Sequence, residues 1–83
     1  MDVTQTTRCG ALLASMRRER NLTQVELAQR LGKPQSFVSK TEHGERALRL
    51  YEVFDYARAL EVSSEELVRR VGDSLGYEVP VIS

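Results

Sequence analysis

Gln35, Ser36, Ser39, Lys40 and His43 carry polar side chains whose spacing gathers them on one side of a helix. At about 100° per residue from Gln35, Ser39 falls near 40°, His43 near 80°, Ser36 near 100° and Lys40 near 140°. Phe37, Thr41 and Val38 fall at about 200°, 240° and 300°, on the arc that would be buried. A helix face made only for solvent is expected to carry long Glu and Lys pairs. Gln, Ser and Lys are hydrogen-bonding side chains of the kind that reach base edges in a DNA groove. Taken alone, the arc is equally well a solvated face, because any amphipathic helix has a polar side.

Other chemistries lack partners. His43 is the single histidine and Cys9 the single cysteine. They belong to different helices with no second ligand near either, so no metal site is expected. Ser36, Ser39, Ser63 and Ser64 have no His and Asp placed to activate a nucleophile. Glu65 and Glu66 are adjacent, hence on different helical azimuths, and suit a helix first turn. No Gly-rich phosphate loop is present. The sequence therefore predicts neither an enzyme nor a cofactor.

The elements that must position the polar arc can be read outward from it. Val25, Ala28 and Leu31, with Leu27 beside them, form the apolar side of a preceding helix over Gln24 to Leu31. Thr23 caps it, and Glu26 completes a capping box. Gly32 suits the left-handed stop, and Pro34 the first position of the next helix, 35–43. A helix, a Gly-containing turn and a second helix make the helix-turn-helix unit, whose second helix enters the major groove. An earlier helix is predicted from Thr7 to Arg20, with Leu12, Leu13 and Met16 inward and Asn21 and Leu22 closing it. A fourth is predicted from Tyr51 to Leu60, burying Val53, Phe54, Ala57 and Leu60, with Tyr51 and Tyr56 as partly buried rings. Ser63 caps a fifth that ends near Gly72. Residues 73–83 follow as a tail with Val79, Val81 and Ile82.

Eighty-three residues suit one domain with a small core. The lone Cys9 excludes an internal disulfide and is expected to stay reduced as a small filler. There is no long apolar run and no apolar signal segment, so a cytoplasmic protein is expected. Net charge is zero, yet residues 1–49 hold nine Lys/Arg against five acids, and residues 50–83 three against seven. The basic half is the half that contains the helix-turn-helix, and the acidic half is expected to face away from phosphate.

The segments LLASMRRERNLTQVELAQRLG, KPQSFVSKTEHGER and ALRLYEVFDYARALEVSSEEL, from Leu12 to Leu67, resemble the phage-repressor and Cro-like helix-turn-helix family, the xenobiotic-response-element (XRE) type. The resemblance implies an all-α, five-helix bundle over residues 1–72. It matches Gln35, Ser36 and Lys40 to base-reading positions, with Ser39 on the same face. It matches Gln24 to a phosphate-bracing position, and Lys33, Arg46 and the backbone around Gly44 to phosphate-holding ones. His43 is expected near phosphate. Arg17 and Glu42 match an ion pair that ties the first helix to the third. The chain departs from the family at Thr41, where Ile or Leu is usual, and at Pro34, where Ser or Thr caps the helix. It departs again at Glu61, where Gly usually follows the fourth helix, and at Glu45, an acid in the loop facing DNA.

The function these features imply is a homodimeric, sequence-specific regulator of transcription, most simply a repressor, on double-stranded DNA. Two-fold dimers extend a short recognition helix over half-sites roughly 34 Å apart. Val68, Val71, Leu75, Val79, Val81 and Ile82 are read as the dimer surface, although Leu67 and Val71 at i, i+4 also suit the core. A frayed tail on a monomer is the competing reading. The alternative function is an antitoxin-like module that binds a small toxin and regulates DNA secondarily.

Overall fold

The computed structural model describes residues 3–77. Five helices follow one another: α1 (Val3–Glu19), α2 (Gln24–Leu31), α3 (Gln35–Glu42), α4 (Leu50–Ala59) and α5 (Ser64–Leu75). There is no strand among the described residues. The all-α, five-helix expectation holds, and the differences lie at helix ends and at single positions such as Phe54 and Val25.

α1 begins four residues before the predicted Thr7. Its first turn is tied to the far end of the chain, where Gln5 Nε2 donates to the Tyr77 hydroxyl at 3.0 Å. The turn after α1 contains Asn21, which takes φ 57, a left-handed conformation that Asn tolerates better than most residues. Both halves of the capping box on α2 are present. Glu26 N–H donates to the Thr23 hydroxyl at 3.1 Å, and Thr23 N–H donates to the Glu26 carboxylate at 2.9 Å. Gly32 then turns left-handed at φ 66, and Lys33 N–H closes on the Ala28 carbonyl at 3.0 Å. Pro34 is the residue before α3 rather than its first helical residue, and it contributes no side-chain cap.

α5 is capped as predicted, with Glu66 N–H donating to the Ser63 hydroxyl at 3.0 Å. It continues through Gly72 to Leu75 and stops at Gly76, φ 82. Val71 packs on the core from this longer helix. A glycine is a helix stop only where the chain turns left-handed, and Gly76 is the one that does.

The core is built from Leu13, Met16, Leu27, Ala28, Val38, Tyr56, Ala57, Leu60 and Leu67. α4 buries Ala57 and Leu60 as predicted and Val53 in part, but Phe54 faces outward. Phe54 is 55 % exposed and Tyr51 60 %, whereas Tyr56 is fully buried. The buried stripe of α4 is Glu52, Tyr56, Ala57 and Ala59, so a carboxylate holds a position that a count of apolar residues assigns to Val53 or Phe54. Val53 is partly buried against the core. Val25, predicted inward on α2, is 46 % exposed.

α1 crosses the end of α3 at Gly10. A Cβ built there would lie 2.4 Å from the Glu42 carbonyl oxygen and 2.5 Å from that of Thr41. α2 and α3 pack on each other, and α4 packs on α2 and α5. No described helix is long and apolar enough to cross a membrane.

Candidate nucleic-acid interface

α2 and α3 form the angled pair, and the exposed side of α3 carries Gln35, Ser36 and Lys40. Ser39 is half-buried, and its hydroxyl lies 3.3 Å from His43 Nδ1. His43 is the residue after the helix, with φ −85 and ψ 0, and its ring is exposed. The inner side is closed by Val38 and Thr41. Thr41 is 2 % exposed. Its hydroxyl donates to the Phe37 carbonyl at 2.7 Å, so a polar residue enters the core with its proton satisfied.

The orientation of α3 is fixed by a buried ion pair. Arg17 Nε donates to Glu42 Oε2 at 2.7 Å, and Nη2 to Oε1 at 3.1 Å. Arg17 Nη1 also donates to the Leu22 carbonyl at 2.7 Å. The two side chains are 10 % and 4 % exposed. This is the forked geometry in which Arg meets a carboxylate most strongly. The hydrogen bonds it donates to Glu42 hold the Arg17 guanidinium above its ordinary pKa, against the opposing effect of burial.

The pair extends outward to the polar arc. Gln24 Nε2 donates to Glu42 Oε1 at 2.9 Å, and Gln35 Nε2 stands 3.4 Å from Gln24 Oε1. The direction of this chain follows from chemistry. An ionised carboxylate only accepts, so Gln24 must turn its NH2 toward Glu42 and its oxygen toward Gln35. Gln35 in turn offers one N–H to Gln24. The Gln35 side chain is otherwise exposed. The resemblance matches Gln24 to a phosphate-bracing position, whereas its amide is engaged with two protein partners, Glu42 and Gln35.

Arg46 is also engaged. Its Nη2 donates to both Glu52 oxygens at 3.0 and 3.2 Å, and its guanidinium stacks on the Phe37 ring at 4.3 Å. Phe37 thus has cations on it, with Lys33 Nζ 5.5 Å from the ring centre. Glu52 also accepts from Arg49 N–H at 2.7 Å, which caps α4. Burial pushes the Glu52 carboxyl up, but the Arg49 N–H, the Arg46 hydrogen bond and the two guanidinium charges outweigh it and leave it below the usual range. These contacts make the loop after α3 a rigid strap between α3 and α4. Of the residues expected near phosphate, Lys33 and His43 are exposed.

Sequence reasoning did not find the Gln24 and Glu52 contacts or the Gly10 crossing. The S/T-x-x-E rule locates capping boxes at Thr23, but an N–H capped by Glu52 after Arg49 carries no such signal. On α5, Val68 is 51 % exposed, Val71 is packed on the core and Leu75 is half-buried. Val79, Val81 and Ile82 lie outside the described residues.

Comparisons with known proteins agree with this geometry. A helix-turn-helix family model (HTH_3) matches residues 13–67. The chain is 41 % identical over 59 residues to the uncharacterized HTH-type transcriptional regulator y4dJ of Sinorhizobium fredii, covering 71 % of this chain and 77 % of that protein. Its structure is similar to that of the restriction-modification controller protein C.AhdI from Aeromonas hydrophila. The TM-score is 0.72 at 30 % identity, over 77 % of this chain and 97 % of that one. An XRE-family like protein from Pseudomonas syringae pv. tomato gives a TM-score of 0.73 at 38 % identity, over 84 % and 85 % of the two chains. The chain belongs to the XRE-type helix-turn-helix family of DNA-binding transcriptional regulators.

Proposed function

We propose that this protein is a cytoplasmic, sequence-specific regulator, acting as a homodimer that represses from a two-fold symmetric operator. α3 lies in the major groove, with Gln35, Ser36 and Lys40 on base edges and Ser39 at their margin. Lys33, His43 and the first turn of α2 lie along phosphate. Arg46 serves this interface by stiffening the loop, given its partners Glu52 and Phe37. The similarity to a restriction-modification controller supports a role in transcriptional regulation.

The observation that carries the reading is the chain Arg17–Glu42–Gln24–Gln35. A solvated surface glutamine needs no fixed amide. One held from the core outward is preorganised for directional contacts. Gln35 then presents one acceptor and one donor side by side, the pattern that pairs with N6 and N7 of adenine.

Selection of bound sequences from random duplex DNA tests this. The expected product is a two-fold symmetric motif with half-sites roughly 34 Å apart and an adenine in each. A pool with no enriched sequence would refute specific reading. A single asymmetric half-site would refute the homodimer.

A further inference from the structure

We propose that the cavity enclosed by α1, α4, α5 and the loop after α3 binds a small neutral molecule, a single ring that is apolar except for one hydrogen-bond acceptor. The inference goes beyond DNA recognition and does not depend on it. Small residues leave the space, since Cys9, Gly10 and Ala47 present little side chain to it. The cavity has a volume of about 110 Å³. Its floor is Leu13, Thr41 and Leu67, all buried. Thr6 and Cys9, half-buried on α1, and Ala47, exposed in the loop, line it nearer to solvent and give a ligand a way in. An engineered apolar cavity of roughly 150 Å³ stays dry and takes up benzene, so this one is matched to a five- or six-membered ring. Drug-sized ligands occupy roughly 300 Å³ or more and are too large. A water is a poor occupant of such walls, because it needs several polar partners.

The acceptor is required by Arg46, which also lines the cavity. Its Nη2 donates to Glu52, whereas its Nη1 is buried with no hydrogen-bond partner among the described residues. A buried donor left unpaired costs free energy, and a ligand oxygen placed on Nη1 recovers it. A hydroxyl, ether or carbonyl oxygen meets that need. A carboxylate does not. The Arg46 charge is already balanced by Glu52 at 3.0 Å, and a further anion would lose its water against apolar walls beside that carboxylate. Cys9 adds no charge either, because burial pushes its thiol up and keeps it protonated at neutral pH. An occupant lies against Thr41 of α3 and Arg46 of the loop, on the side of α3 away from the polar arc.

Methyl-detected NMR titration of the full chain with cyclopentanone tests this, with methylenecyclopentane as the isostere that lacks the acceptor. The expected result is saturable shifts of the Leu13, Val53, Leu67 and Val71 methyls, with a dissociation constant of about 0.1–1 mM. Cys9→Met puts a longer side chain into the cavity and should weaken binding at least about ten-fold, with circular dichroism to verify folding. Cys9 is the single cysteine, so its rate of reaction with N-ethylmaleimide is a second readout that needs no variant. Cyclopentanone should slow that reaction with the same dissociation constant. Arg46→Lys keeps the charge opposite Glu52 and removes Nη1. It should weaken the ketone at least about five-fold more than methylenecyclopentane. Three results would overturn the site: no saturable shift at these methyls, a thiol that cyclopentanone leaves unprotected, or a folded Cys9→Met that binds as well as the wild type. Equal losses of the two ligands in Arg46→Lys would overturn the requirement for an acceptor.

Discussion

Glu42 is where structure and recognition meet at the scale of one residue. It accepts from Arg17 twice and from Gln24 once, and it is almost fully buried. Removing one partner of a buried ion pair costs more than the pair itself contributes, because the other charge is stranded. Glu42→Ala is expected to destabilise the fold by about 3–5 kcal/mol in a thermal or denaturant melt. Glu42→Gln keeps the shape but offers an NH2, which lets the Gln24 amide reverse. It should cost less stability than Glu42→Ala and still loosen the orientation of Gln35. Unchanged stability in Glu42→Ala, with DNA affinity rising, would make Arg17 a phosphate ligand instead. For the residues proposed to read bases, Gln35→Ala or Lys40→Ala should cost about 1–3 kcal/mol on the selected operator and relax preference at particular base pairs. Equal losses on operator and random DNA would demote both to phosphate contacts.

At the scale of elements, the position of α3 depends on a crossing that has no side chain in it. Gly10 lets the backbone of α1 approach the carbonyls of Thr41 and Glu42, and Gly44, at φ 77, lies against Thr7 in the same way. Gly10→Ala gains about 1 kcal/mol of helix propensity. Its methyl would still meet backbone oxygens well inside contact distance, which only a shift of a whole helix can relieve. A net loss of about 1–3 kcal/mol is expected from such overpacking, together with weaker operator binding because α3 moves. A neutral or stabilising Gly10→Ala would show that the two helices separate at little cost. The helix-turn-helix itself was legible because its signals are local: the box at Thr23 and Glu26, the glycine at position 32, and the arc of α3. The Arg17–Glu42 pair was legible only through resemblance, since residues 25 positions apart carry no spacing signal. The burial of Glu52 in place of Phe54 on α4 was not legible. Glu52 outcompetes Phe54 for the interior because Arg46 and the Arg49 N–H satisfy its charge, and those partners come from tertiary structure. The extension of α5 past Gly72 was hidden by a second glycine four residues on.

At the scale of the molecule, a small core leaves stability dependent on a few charged and polar groups, and these make it a function of pH. Three carboxyls lie below their usual range: Glu52 through the balance described above, Glu19 through its hydrogen bonds from Arg70, and Glu26 through the Thr23 N–H. A carboxyl with a depressed pKa in the folded state contributes stability above its unfolded pKa, about 4.3, and loses it as pH falls through the folded value. Tyr56 acts at the other limb. Burial pushes its phenol well up, so the folded state holds a proton that the unfolded chain releases above about pH 10. Stability from that group is complete below about 10 and falls as pH rises further. Thermal melts at constant ionic strength should therefore show a plateau between about pH 5 and 10 with a decline on each side. Glu52→Gln should flatten the acid decline, because Glu52 is the buried one of the three carboxyls and Glu19 and Glu26 are exposed. Tyr56→Phe should flatten the alkaline decline at little cost at neutral pH. The Tyr56 hydroxyl is buried without a well-formed hydrogen bond among the described residues. Replacing an unpaired buried hydroxyl by an apolar atom is close to neutral. An acid limb unchanged in Glu52→Gln would show that the Arg46 and Arg49 contacts do not hold that carboxyl low. A loss of more than about 1 kcal/mol in Tyr56→Phe would show that its hydroxyl has a partner after all.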